Sequence, residues 1–227
     1  MKSRSSKPQQ GNTFDRLKLT YQYLRGKGGV DGDINDAVIS QKVRQTLVSP
    51  KLHQETVSTL KSAAELGLTV GRLSEASIRL PQGKFLITGK ASWFYDLAEE
   101  DLIVASEKSG ITMDGDNFPE HWEWHRLVYQ QDVKTQAIIL AQPASLMALI
   151  GRGDIPNPDL LKSGEDALGG VSQCDPDSDA IIKALKDSNV LLISGVGSLL
   201  RAKTLKEAVI KLEIVSRWSE ITLQANS

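Results

Sequence analysis

Three short runs of β-forming residues lie in the middle of the chain, and helix-type patterns flank them on both sides. The runs cover 77–80, 85–88 and 101–104, and the turn-forming residues 81–84 separate the first two. Such runs, joined by short turns, predict a small antiparallel meander. Because helical patterns come before, between and after the strands, the sequence predicts an α/β fold with its elements in mixed order.

Apolar spacing and capping residues place the remaining elements. Helices are predicted over 36–47, 52–66, 119–131, 144–150, 177–185 and from Thr204 to about 223. Buried strands are predicted over 137–140 and 190–193, and the region 151–170 is predicted to consist mainly of loops. The last helix is apolar on more than one side, which indicates contact with a second layer or with another subunit.

Composition limits the class of protein. With 40% hydrophobic and 24% charged residues in 227, the chain has the make-up of a globular protein. Residues 1–15 are predicted to form a flexible tail, and 16–227 a single domain. A single cysteine, Cys174, and the absence of an apolar leader or spanning segment predict a cytoplasmic protein without a membrane span.

Charge argues against nucleic acid as a partner. The net charge is -1, so the chain as a whole does not attract polyanions. The basic residues Lys2, Arg4 and Lys7 of the tail leave a nucleic-acid binder as a minor alternative. Cys174 lies beside Asp175 and Asp177, whose charges disfavour its thiolate, and it is predicted to be inert.

Three stretches, taken in order, resemble the class II aldolase/adducin family. The first runs from Leu66 through 77–79 and 85–88 to Leu102, the second from His125 to Pro143, and the third from Val190 through Gly197 to Ala208. The resemblance implies a three-layer α/β/α sandwich around a central mixed, largely antiparallel sheet. It also implies a homotetramer with sites near the subunit boundaries, and either an aldolase or epimerase activity or the non-enzymatic role of the adducin head.

The positions that match the family's zinc ligands carry different residues here. Three histidines hold the metal in the family, and the matching positions read Leu140, Gln142 and Val196. Leucine and valine have no lone pair to donate, and a glutamine amide alone is a poor zinc ligand. No histidine follows His125, so a shifted alignment does not restore the set. The sequence therefore predicts no metal and no cofactor at this place.

Other site positions also differ from the family pattern. The family's acid/base glutamate aligns with His121, an asparagine of the phosphate pocket aligns with Glu75, and the following phosphate-binding motif reads Thr88-Gly89-Lys90-Ala91. A carboxylate at position 75 repels phosphate, and Lys90 offsets part of that repulsion. The resemblance therefore names His121 as a candidate catalytic residue, and Glu75, Thr88, Lys90 and Gln142 as candidate substrate-binding residues.

Two interpretations follow, and a third remains open. The preferred one is a pseudoenzyme that has lost zinc-dependent aldolase activity and binds a small molecule or serves as a scaffold. The alternative is a lyase or epimerase of a small hydroxy-carbonyl compound that uses His121 as base. The third is a relocated metal site, because His121 and His125 lie at i and i+4. Convergence of His121, Lys90, Gln142 and Glu75 on one polar cavity would favour retained or altered chemistry. Closure of the cavity by apolar packing of Leu140 and Val196 would instead favour an interaction or scaffold role.

Overall fold

The computed structural model describes residues 48–108 and 117–226. The predicted tail at 1–15 and the predicted helix at 36–47 lie outside these residues. In chain order the helices and strands of the described part are α1 (Pro50–Glu65), β1 (Glu75–Leu80), β2 (Lys84–Thr88), β3 (Leu102–Ser106), α2 (Trp122–Gln131), β4 (Ala137–Ala141), α3 (Ala144–Arg152), α4 (Lys162–Leu168), β5 (Val171–Cys174), α5 (Ser178–Ala184), β6 (Val190–Ile193), β7 (Gly197–Ala202) and α6 (Leu205–Ala225).

The seven strands form one sheet in the order β3-β2-β1-β4-β7-β6-β5. Every neighbouring pair is antiparallel except β5 and β6, which are parallel. The predicted meander is confirmed as β1, β2 and β3. Gln82 and Gly83 make its first turn with positive φ angles of 63° and 66°, a conformation that matches the twist of a hairpin. The expectation of a mixed, largely antiparallel sheet is confirmed.

Helices cover both faces of this sheet. Side chains alternate along a strand, so Ile138 and Leu140 of β4 share one face and Ile139 points to the other. The first two belong to an apolar cluster that includes Tyr129 of α2 and Ile181 of α5. Helix α6 also contacts β4 and β7, and α1, α3 and α4 contact α6. This arrangement is the predicted three-layer α/β/α sandwich.

The predicted ends of helices are confirmed where a single capping residue determines them. Gly67 follows α1 with a φ of 73°, the left-handed conformation that ends many helices. Thr204 caps α6, because its Oγ1 accepts a hydrogen bond from the backbone N–H of Glu207 at 3.1 Å. Helix α2 begins at Trp122, three residues later than predicted.

The prediction that 151–170 consists mainly of loops is wrong for 162–168, which form α4. Gly164 lies inside this helix, and glycine ordinarily weakens the helical pattern of a sequence. Here the glycine permits close packing, because a Cβ at this position would lie 3.2 Å from the ring of Trp218 in α6.

Strands β5 and β7 were not predicted either: β5 is a half-buried edge strand, and β7 begins within the glycine-rich turn 195–197.

Helix α6 is buried along most of its length but leaves Ile210 and Ile221 exposed. The part of the apolar arc that these residues form is therefore not covered within the described chain, and the homo-oligomer stays a prediction. Among the described helices, none has both the length and the apolar character needed to cross a membrane.

Candidate functional site

A cavity of about 580 Å³, here called the site cavity, lies at the carboxyl end of β4. The segment that leads into β1, the chain after β2, the segment before α2 and the turn between β6 and β7 form its other walls. Its volume falls in the range of small-molecule sites. Four of the five residues named from the sequence line it, namely Glu75, Lys90, His121 and Gln142.

Thr88 is the fifth named residue, and it does not line the site cavity. Its side chain is fully buried, and its Oγ1 accepts a hydrogen bond from the backbone N–H of Ala76 at 3.1 Å. This bond ties the end of β2 to the start of β1. The contact gives Thr88 a role in holding the two strands together.

Glu75 and His121 form a hydrogen-bonded pair at the cavity wall. Oε1 of Glu75 accepts a bond from the backbone N–H of His121 at 3.0 Å and contacts Nδ1 of the same residue at 2.9 Å. An ionised carboxylate in this position holds the ring proton on Nδ1, which leaves Nε2 as the unprotonated nitrogen. The ring also packs on Trp124, with centroids 4.5 Å apart. The arrangement orients an imidazole that can accept a proton.

Behind this pair, His125 belongs to a buried chain of polar groups. Its Nδ1 lies 2.8 Å from Oγ of Ser77, and that oxygen lies 2.8 Å from the hydroxyl of Tyr129. Burial lowers the pKa of His125 to about 4, although the nearby carboxylate of Glu75 opposes the shift. Burial also raises the pKa of Tyr129. Both groups are therefore neutral near pH 7.

The Ser77 and Tyr129 partners of His125 were not singled out from the sequence. Tyr129 follows His125 by four residues in α2, so the helical period alone places the two side chains on one face. Ser77 faces them from β1, and no local signal indicates that contact.

Two cations at the cavity have no acidic partner in the described chain. The lining residues Arg72 and Lys90 are both exposed, and no carboxylate within the described ranges makes an ion pair with either. Arg72 was not predicted as a site residue, because it stands in a short loop before β1 without a motif around it. The exposed Glu120 lies on the same wall. The cavity therefore offers donors for hydroxyl, carbonyl or anionic groups.

The residues at the family's zinc positions do not fit a metal. Leu140 is fully buried in the apolar cluster of the sheet, and Val196 packs against that same cluster. Gln142 uses both ends of its amide: Oε1 accepts a bond from Ser74 Oγ at 3.1 Å, and Nε2 donates to the carbonyl of Leu73 at 3.2 Å. Two hydrocarbon side chains and an engaged amide do not make a zinc site.

The two histidines at i and i+4 contact a single carboxylate. His121 approaches Oε1 of Glu75, and Nε2 of His125 lies 3.6 Å from Oε2. The carboxylate thus lies between the two rings, and the other nitrogen of His125 faces Ser77. In the described parts of the chain, no group of three or more His, Cys, Asp or Glu side chains has the geometry to hold a metal ion.

Sequence and structure comparisons relate the chain to known proteins. Residues 54–223 match the family model described as the class II aldolase and adducin N-terminal domain. No protein of curated function matches the chain by sequence alone.

Three solved structures illustrate the likeness of fold. YgbL from Klebsiella pneumoniae is 23% identical, with a TM-score of 0.67 over 78% of this chain and 90% of its own. An L-fuculose 1-phosphate aldolase is 22% identical, with a TM-score of 0.70 over 79% and 88%. A sugar-phosphate aldolase from Thermotoga maritima is 16% identical, with a TM-score of 0.68 over 77% and 94%. Identities this low establish the fold, and they leave the activity to be argued from the site.

Proposed function

The chain belongs to the class II aldolase and adducin N-terminal domain family, and from that membership we propose that it binds a small hydroxy-carbonyl compound in the site cavity without zinc. One observation carries the proposal: Glu75, Lys90, His121 and Gln142 line a single cavity while the positions matching the zinc ligands are apolar or engaged. This combination supports the binding of a polar ligand without a metal.

The chemistry of the lining indicates the class of ligand. Lys90 and Arg72 supply donors for carbonyl, hydroxyl and carboxylate oxygens. Glu75 is almost fully buried, and both hydrogen bonds to its Oε1 come from His121. A compact, sugar-derived molecule with at most one negative charge fits this balance better than a strongly anionic one. Zinc-dependent carbon–carbon cleavage is not part of the proposal.

The first experiment measures metal and ligand on the same sample. The protein is dialysed against trace zinc, and elemental mass spectrometry gives its metal content. Saturation-transfer NMR with glyceraldehyde, erythrulose and glycolaldehyde then measures binding in the presence of EDTA. We expect far less than one zinc per chain and binding that EDTA does not change.

Two single-residue variants test whether the ligand binds in the site cavity. Lys90→Met should weaken binding about tenfold, the loss of one charge-assisted hydrogen bond. Lys108→Met removes an exposed lysine that does not line the cavity and should leave binding unchanged. Stoichiometric zinc that disappears when His121 and His125 are both replaced by alanine would instead establish a relocated metal site.

The second candidate function is metal-free acid–base catalysis, and the contact between Nδ1 of His121 and Oε1 of Glu75 favours it. Nε2 of His121 would take the proton from the carbon between a carbonyl and a hydroxyl, and the C–H electron pair would move to the carbonyl oxygen. The ammonium group of Lys90 would stabilise the resulting enediolate. Delivery of a proton from solvent to the opposite face of the same carbon gives epimerisation. Return of the proton to the former carbonyl carbon, with transfer of the hydroxyl proton to the other oxygen, gives isomerisation.

Exchange of the α-proton separates catalysis from binding. Proton NMR in D₂O with EDTA follows the loss of the α-proton signal of erythrulose. If the second candidate is correct, His121→Gln lowers the exchange rate about 100-fold or more. Binding of erythrulose without exchange above the buffer rate would reject catalysis of this compound and leave the binding function intact.

A further inference from the structure

A second cavity, of about 560 Å³, lies at the other end of β4 and β7. Thr135 just before β4 and Ala202 at the end of β7 line it, whereas Gln142 just after β4 and Val196 just before β7 line the site cavity. The ends of α2 and α5 and the start of α6 form the remaining walls. We call it the lysine cavity, after the four lysines among its lining residues, Lys134, Lys186, Lys203 and Lys211.

The lining of the lysine cavity is strongly positive. Among the described residues that line the cavity, Arg201 joins the four lysines, and two carboxylates, Asp132 and Glu207, face these five cations. The cavity therefore has an excess of three positive charges. The whole chain has a net charge of -1, so this excess does not reflect a basic composition.

Both carboxylates are already paired. Asp132 Oδ2 lies 3.1 Å from Nη1 of Arg201, and Glu207 Oε1 lies 3.1 Å from Nζ of Lys211. Burial opposes ionisation of Asp132, but hydrogen bonds from Thr135 and the backbone of Lys134, with the charge of Arg201, lower its pKa. The pKa of Glu207 is also lowered against the effect of burial, mainly by its bond from Lys211. Both acids therefore stay ionised and engaged with these cations at neutral pH.

Three of the four lysines at the cavity are not paired with these two carboxylates. Within residues 48–108 and 117–226, no carboxylate makes an ion pair with Lys134, Lys186 or Lys203. These three lysines are exposed, and their like charges around one concavity create a positive potential that favours an anionic occupant.

Arg201 gives the cavity a fixed cationic group. Its Nε donates to Oδ1 of Asn189 at 2.9 Å, its Nη2 to the carbonyl of Leu185 at 2.6 Å, and its Nη1 to Asp132. A guanidinium held by three acceptors loses little freedom when a ligand arrives, because its position is already set. The apolar side chains of Val128 and Ile182 line the cavity as well and can cover the organic part of a ligand.

We propose that the lysine cavity binds a small molecule that bears two or more phosphoryl groups. Each phosphoryl monoester carries between one and two negative charges near pH 7, so two of them balance the excess of three. Lysine and arginine are also the side chains that bind phosphoryl oxygens with charge-assisted hydrogen bonds. The proposal is independent of the proposed function, because none of the residues that the structure describes lines both cavities.

Calorimetry with inorganic tripolyphosphate on the full chain tests the proposal. We compare the wild type with Lys186→Gln/Lys203→Gln and with the matched control Lys183→Gln/Lys206→Gln. The control removes two exposed lysines of the same regions of the chain that do not line the cavity. The cavity variant should weaken binding about tenfold or more, and the control should change it less than about twofold.

Amide chemical shifts then locate the probe. Tripolyphosphate should perturb the amides of Asn189 and Ala202 and leave those of Glu75 and Gln142 unchanged. Equal weakening in both double variants, perturbation centred on the site cavity, or no saturable binding at millimolar tripolyphosphate would each overturn the proposal. Binding of a single-stranded oligonucleotide far more tightly than tripolyphosphate would also overturn it, since it would assign the surface to nucleic acid.

Discussion

Nε2 of His125 lies 3.6 Å from Oε2 of Glu75, and both atoms are buried without a hydrogen-bond partner among residues 48–108 and 117–226. The distance is too long for a hydrogen bond between them. Burial keeps the imidazole neutral, with a pKa lowered to about 4 from its ordinary 6.5. The protein thus holds a buried neutral histidine against a buried carboxylate, and the free energy of unfolding depends on pH for this reason.

We predict that the protein loses stability between pH 6.5 and pH 4. Above pH 6.5 the imidazole of His125 is neutral in both the folded and the unfolded state. Below that value the unfolded chain takes up a proton that the folded chain does not bind until about pH 4. The free energy of unfolding should therefore fall by about 2–3 kcal/mol between pH 7.5 and pH 4.5 from this residue alone. Urea unfolding at each pH measures the change.

His125→Asn isolates the contribution of this histidine. Asparagine can keep the hydrogen bond to Ser77 Oγ but does not titrate in this range. The variant should be less stable than the wild type at pH 7.5 and should lack this part of the pH dependence. Parallel pH curves for the two proteins would refute the prediction.

Restoring histidines at the three replaced positions should create a zinc site. Leu140 lies in the apolar cluster of the sheet, Val196 packs against that cluster, and Gln142 follows Leu140 by two residues, just after the end of β4. The triple variant Leu140→His/Gln142→His/Val196→His should bind close to one zinc per chain, measured by elemental mass spectrometry. Zinc should also raise its melting temperature, because the ion binds only the folded state. Leu140→His alone serves as the control and should gain no metal.

Alanine at Gly197 should destabilise the protein more than alanine at Gly195. Gly197 has a φ of 146°, and a Cβ there would lie 2.7 Å from the carbonyl oxygen of Ala141. Gly195 has a φ of 72°, and a Cβ there would meet nothing within 4 Å. We expect a loss of about 1 kcal/mol for Gly195→Ala and about 2–4 kcal/mol for Gly197→Ala. Urea unfolding gives both values, and equal losses would contradict the close approach to β4.

Cys174 should react slowly with alkylating reagents. Burial, and then the charges of Asp175 and Asp177, raise the pKa of its thiol to about 11. Because the thiolate is the reactive form, iodoacetamide at pH 8 should modify it about 100-fold more slowly than a free cysteine. Mass spectrometry follows the reaction. Full reactivity in concentrated urea is the control, and fast labelling of the folded protein would disprove the shift.

The sequence predicts the helices and strands well where a local signal marks them. Gly67 and Thr204 are such signals, since the conformation or the cap that ends a helix depends on a single residue type. The edge strand β5 has no such mark, because half-buried side chains on both faces leave no alternation to detect. Helix α4 is missed for a different reason, because Gly164 weakens its helical sequence pattern. The helix needs a small residue at this position to pack against Trp218, and tertiary packing of this kind has no local signal.

The sequence places four of its five candidate residues at one cavity, but it does not predict their contacts. The family resemblance indicates that Glu75, Lys90, His121 and Gln142 belong to one region, and the structure brings them to one cavity. The pairing of Glu75 with His121 joins residues 46 positions apart. It depends on how the start of β1 meets the segment before α2, which no local pattern specifies. Arg72 is not predicted as a site residue, because no sequence motif surrounds this arginine in its loop.

The two cavities lie at opposite ends of β4 and β7, and this distance separates them in energy. The extended stretch from Thr135 to Gln142 spans about 20 Å, well beyond the range at which substitutions couple. Changes at the two ends should therefore add in free energy without an interaction between them. Selection can alter the chemistry at one end of these strands while leaving the other unchanged, so a single small domain can carry two independently evolving sites.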